Sequence, residues 1–146
     1  MSYTKEELEE KFGNKLVGKW LMKRSVIEAL QKLPVDIVDY VTENVWFVSS
    51  FDDAFGFVLT GEELQGKQLI FLSDELFSEP KEQIHYTTIH EIGHIILKHR
   101  NAILKPQTRA EVDRQEYEAD QFADKYLWSH NPPTRRDLPY RIEKLG

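Results

Sequence analysis

The stretch His90-Glu91-Ile92-Gly93-His94 constrains this chain more than any other, because its spacing has a chemical use only on a helix. Residues four apart lie on one helical face, so both imidazoles can reach one point in space. The pattern predicts a helix to about His99, with Ser78 as N-cap and Pro80 in the first turn. Random placement of H-E-x-x-H in a chain this short is expected in roughly one case in a hundred or fewer. Neutral imidazole is a good zinc ligand, so His90 and His94 are read as metal ligands. Glu91 stands one step round the helix from His90. Its carboxylate can reach a water beside the metal and act as general base without being a ligand.

An open zinc site takes three protein ligands, and the chain has no cysteine to supply one. The third ligand must be sought among His, Glu and Asp. Thr108 and Glu111 have capping-box spacing and predict a helix to about Trp128. On it, Glu116 and Asp120 are four apart and share a face with Val112, Ala119, Ala123 and Tyr126. An inward carboxylate without a partner is costly. Zinc would satisfy Glu116, and a histidine ring N–H would satisfy Asp120 and set the ligand's tautomer. Glu118 is the alternative third ligand. The plain competing reading is that all three acids form a solvated face.

The rest of the chain predicts an α+β fold rather than alternating βαβ units. Thr4 and Glu7 open a first helix with Leu8 and Phe12 on one face, and Gly13-Asn14 ends it. A second helix carries Trp20, Ile27 and Leu30 and stops at Pro34. Ile37, Val38 and Val41 suggest a short third helix. Three strands follow: Val45 to Val48, Phe55 to Leu59, and Gln68 to Leu72. Ser49 to Asp53 reads as a turn, and Thr60 to Lys67 as a hairpin connection. The expected architecture is a small antiparallel or mixed three-stranded sheet packed against the active-site helix and a second metal-ligand helix. The 146 residues are read as one metallopeptidase-like domain, with an irregular proline-bearing tail from about residue 129.

Composition narrows the setting. A chain 40% apolar and 30% charged is ordinary for a globular protein, and no apolar run approaches a membrane span. The polar, acidic start is unlike a signal peptide, and the absence of cysteine fits a reducing cytoplasm. The net charge of -6 argues against binding a polyanion. Arg100, Lys105 and Arg109, and Arg135, Arg136 and Arg141, are read as solvated surface, so no direct nucleic-acid contact is expected.

His90-Glu91-Ile92-Gly93-His94, followed by Glu116-Tyr-Glu-Ala-Asp120-Gln-Phe-Ala123, resembles the ImmA/IrrE family of zinc metallopeptidases, whose pattern is H-E-[LI]-G-H, then E-x-E-A-[ND]-x-F-A. The resemblance spans about residues 68–128. It implies a compact gluzincin-like core, one zinc ion per chain and cleavage of a protein substrate, often a DNA-binding helix-turn-helix repressor. After the last helix this chain reads Tyr126-Leu127-Trp128-Ser129, where family members commonly have a Leu-Leu-Met-Pro-like stop.

Weaker signals complete the reading. His99 lies five residues past His94, turned off the metal face by about 140°. It is expected as an exposed helix-end histidine, and His85, five residues before His90, is treated the same way. His130 is a candidate oxyanion stabiliser. Tyr86 is read as structural. Residues 67–72 are expected at a sheet edge, where they could hold an extended substrate. The function expected is a zinc-dependent endopeptidase. The alternative is a zinc-containing module that grips a repressor or a toxin–antitoxin partner with little turnover.

Overall fold

The computed structural model describes residues 2–50, 56–59, 67–99 and 108–127. The described part is α+β, as expected. Helix α1 (Lys5–Phe12) starts at a full capping box: Glu7 N–H donates to Thr4 Oγ1, and Thr4 N–H donates to Glu7 Oε1. Gly13 ends it at φ 59°, a conformation glycine adopts without penalty. Leu8 and Phe12 are buried on one face. A two-residue strand, β1 (Leu16–Val17), leads into α2 (Trp20–Leu30) and then α3 (Val35–Asn44), which opens directly after Pro34. β1 lies outside the sequence reading, since two residues carry no periodicity to detect.

Among the described residues the sheet has four strands in the order β1-β2-β4-β3, with β2 (Val45–Ser50), β3 (Gly56–Leu59) and β4 (Gln68–Ser73). It is mixed. β2 runs parallel to both β1 and β4, pairing Phe47 with Leu16 and Ile70, whereas β3 and β4 are antiparallel. The inward row follows the period of two: Val45, Phe47, Ile70 and Leu72 have no exposed surface. Phe12 closes on Phe47 edge-to-face at 5.8 Å.

Two strand expectations change. β2 continues through Ser49 and Ser50, paired with Leu72 and Ser73, where the sequence suggested a turn. The remainder of that expected turn, 51–53, and most of the connection at 60–67 lie outside the described residues. Residues 67–72 are not at a sheet edge. β4 is flanked by β2 on one side and β3 on the other, which leaves β3 as the outer strand among the described residues. Antiparallel pairing with its sequence neighbour and parallel pairing with β2 use both edges of β4, and no local pattern reveals that.

A 3-10 turn (Asp74–Ser78) carries β4 into α4 (Lys81–Ile96), so Ser78 lies in the turn and Pro80 takes the cap position. α4 packs against α2, the sheet and α5 (Arg109–Leu127), and eleven of its sixteen residues are buried. α5 starts from Thr108, whose Oγ1 accepts from Glu111 N–H at 3.1 Å. Among the described residues no helix is long and apolar enough to cross a membrane. The expected tail from residue 129 lies outside the described residues.

Because α4 is enclosed, His85 is buried rather than exposed. Its Nε2 lies 3.6 Å from Glu28 Oε1, and neither ring nitrogen makes a hydrogen bond. Burial works against ionisation of Glu28, but Lys5, Arg24 and Lys81, all within 3.3 Å, hold its carboxyl down to about 2. Burial, reinforced by Lys32 and Lys81, pushes His85 from 6.5 down to about 4 despite Glu28. The unfolded chain therefore binds the extra proton first. Stability contributed by neutral His85 is complete above pH 6.5 and falls as pH drops towards 4. Acidifying from pH 7 to 5 should cost about 2 kcal/mol at this site, measurable by urea unfolding. His85→Gln should flatten that slope; an equally steep slope in the variant would refute the assignment.

Candidate metal centre

The site is built where α4 meets α5. On α4, four-residue spacing sets His90 and His94 edge-to-face, with ring centroids 4.8 Å apart and planes at 86°. On α5, Glu116 reaches across to both. His90 Nε2 lies 3.0 Å from Glu116 Oε2, and His94 Nε2 lies 3.1 Å from Glu116 Oε1. One ligand atom from each of the three residues falls within 4.8 Å of the others. His90 is 1% exposed, His94 14% and Glu116 19%, so the cluster is buried on one side and reachable on the other.

This donor set fits zinc. Ligands at about 2.0–2.1 Å from a tetrahedral ion sit roughly 3.3 Å apart, close to the separations found here. Two neutral imidazoles and one carboxylate form a three-ligand set that leaves a position open. Both histidines turn Nε2 inward, so the opposite nitrogen of each ring decides whether that lone pair is free.

Those opposite nitrogens are held. His90 Nδ1 lies 2.9 Å from Asp120 Oδ1, the spacing expected of a carboxylate that fixes the ligand's tautomer. Asp120 is 4% exposed, and the Tyr86 hydroxyl donates to its Oδ1 at 3.1 Å and lies 3.3 Å from its carbonyl. Tyr86 has no exposed surface and braces Asp120 across the helix pair, the structural part expected of it.

His99 departs from expectation. The helix ends at Ile96, and Lys98 adopts φ 59°. Lys98 N–H donates to Ile95 O, and His99 N–H donates to His94 O at 2.9 Å, completing a Schellman motif. The reversal swings His99 back onto the helix, so its side chain is covered against His94 instead of exposed at the end. Its Nδ1 lies 2.8 Å from His94 Nδ1, and its Nε2 lies 2.8 Å from Glu118 Oε1. Burial holds His99 below the ordinary histidine range, which favours the neutral ring, while Glu118 opposes the shift. A sequence reading that extends the helix to residue 99 misses this contact. The spacing of His99 from His94 matches the 6→1 bond of a Schellman ending, but lysine is an unusual residue at the left-handed position.

The two acids of α5 thus part ways. Glu116 faces both imidazoles, whereas Glu118 pairs with His99. Glu91 is 1% exposed, an ionisable carboxyl in the same turn as His90. His130 lies outside the described residues.

Gly93 lets the helices approach. A Cβ at this position would lie 3.0 Å from Phe122 Cδ1 and 3.1 Å from Phe122 Cβ. Phe122 Cβ is anchored to the α5 backbone, so a larger side chain has to move the helix. Gly93→Val should destabilise the protein by about 1–3 kcal/mol, as overpacking does. Thermal unfolding compared with wild type is the check, and an unchanged melting temperature would contradict the close approach.

Residues 80–144, which contain every described residue of this cluster, match the family model described as Peptidase U49. No curated protein and no solved structure matches the chain. The match supports a peptidase family.

Proposed function

We propose that this chain is a zinc-dependent endopeptidase of the gluzincin type, with one ion held by His90, His94 and Glu116. The observation that supports it is the convergence of three ligand atoms from two facing helices, next to a buried glutamate in the same turn. The Peptidase U49 match supports the same class of reaction. When bound, zinc supplies Lewis acidity for the scissile carbonyl and a lowered pKa for the attacking water.

The chain's own residues do the remainder. Glu91 accepts a proton from the attacking water and delivers it to the departing amine nitrogen. Asp120 keeps the proton of His90 on Nδ1, which leaves Nε2 as a ligand, and Tyr86 keeps Asp120 in place. β3 is the outer strand among the described residues and packs against α4, so an extended substrate pairing along it would be held against the helix that carries the histidines. The substrate is a protein; a DNA-binding repressor of the helix-turn-helix kind is the class that the ImmA/IrrE resemblance supplies. On this reading the protein works in the cytoplasm, and residues 1–146 form one peptidase domain.

The test uses a peptide library prepared from a whole proteome. Zinc-loaded protein should create new peptide N-termini, identified by mass spectrometry, and a zinc chelator should abolish them. A library left intact by zinc-loaded protein would defeat the endopeptidase reading in favour of the partner-binding one.

A further inference from the structure

We infer that Glu118 and His99 form a positioning relay that sets the tautomer of His94, the counterpart on α5 and the α4 reversal of Asp120 at His90. The relay rests on the metal-site reading given above, because its purpose is to keep His94 Nε2 free as a ligand. The relay runs along one line of atoms. Glu118 Oε1, His99 Nε2, His99 Nδ1 and His94 Nδ1 follow one another at 2.8 Å and 2.8 Å, and His94 Nε2 then faces Glu116.

Without the ion, the Glu116 oxygens at 3.0 and 3.1 Å draw a proton onto either Nε2; once both Nε2 atoms are committed as ligands, donor and acceptor rules allow one pattern for neutral rings. An ionised carboxylate only accepts, so His99 Nε2 carries its proton towards Glu118. The neutral His99 ring then has a bare Nδ1, which can only accept. His94 must therefore carry its own proton on Nδ1, or two lone pairs would face each other at 2.8 Å. Its Nε2 is left with a lone pair, directed at the same point as His90 Nε2. The reverse tautomer would turn an N–H into the cluster and remove a ligand.

The arrangement is built by the backbone as well as by side chains. Lys98 stands in the left-handed region at φ 59°, and the reversal it permits is what brings His99 under His94. His99 is only 6% exposed, while Glu118 is 43% exposed. The relay thus runs from the protein surface to the ligand. Neither residue touches the metal point, so both are positioning residues.

Two measurements test the relay. Long-range proton–nitrogen NMR of the zinc-loaded protein reads the tautomers directly. Wild type should show His94 protonated on Nδ1 and His99 on Nε2. In His99→Leu the His94 Nδ1–H should lose its acceptor and exchange with water faster. His99→Gln should restore the wild-type pattern, since its amide oxygen can accept from His94 and its amide N–H can donate to Glu118. Zinc affinity, measured by chelator competition, should weaken by about 10–100-fold in His99→Leu and recover most of that loss in His99→Gln. If His99→Leu does not fold by circular dichroism, Glu118→Ala replaces it and should give a mixed tautomer at His99 with a smaller loss of zinc affinity. Wild-type His99 protonated on Nδ1, or an unchanged zinc affinity in the folded variant, would overturn the relay. Failure of wild type to bind zinc would instead overturn the metal reading on which the relay rests.

Discussion

Glu91→Gln is expected to keep one zinc per chain and to lower peptide hydrolysis by about 10²–10⁴-fold, the contribution typical of a positioned general base. The amide has the shape of the carboxylate, so a residue with 1% exposure is replaced without a cavity. It cannot take the proton of the attacking water. Single-turnover cleavage of a peptide identified from the library separates this loss from a change in binding. Zinc content measured on the same preparation shows whether the site is still filled. Hydrolysis at the wild-type rate would remove Glu91 from the mechanism. A loss of zinc in step with activity would make Glu91 a support of the site instead of its base.

Glu116→Ala is expected to have an effect of similar size on the metal itself. Apparent binding energies of about 10–16 kcal/mol at four-ligand zinc sites suggest a share of roughly 3 kcal/mol per ligand, more than a hundredfold in Kd. The variant also removes the carboxylate that both Nε2 atoms face at 3.0 and 3.1 Å. Plasma mass spectrometry after gel filtration should find about one zinc per chain in wild type and little in Glu116→Ala. Glu118→Ala should still fill at saturating zinc, because Glu118 pairs with His99 and not with the histidines that face Glu116. Retention of zinc by Glu116→Ala together with its loss from Glu118→Ala would move the third ligand.

Much of the cluster was legible because it rests on local periodicity. His90 and His94 lie four apart on one helix, and Glu116 and Asp120 lie four apart on another. Helical geometry puts each pair on one face wherever the helices lie. Apolar neighbours such as Ala119 and Ala123 mark which face of α5 turns inward, and both are fully buried. The capping boxes at Thr4 and Thr108 were legible for the same reason, as each involves groups only three residues apart.

His85 and His99 were misread for a common reason. Their surroundings are supplied by other elements or by a reversal of the chain. His85 is buried because α2 places Glu28 opposite it, 57 positions away in sequence. The His99 side chain is covered because the helix stops at Ile96 and a left-handed lysine turns the backbone round. A rotation angle measured along an ideal helix applies to neither. The place of β4 is similar: its composition marks a strand, but whether it lies at an edge depends on partners from two other segments.

The sequence by itself determined which residues share a face, where helices begin, and that two histidines are spaced to face one point. These are properties of 3.6-residue periodicity and of hydrogen bonds that close within a turn. Only the tertiary structure decided that Glu116 meets the histidines while Glu118 meets His99, and that each ligand ring is held through its opposite nitrogen. Those contacts join α4 to α5 or cross the reversal after α4. They depend on the approach of the two helices at Gly93, which is set by packing of the whole core rather than by any local stretch.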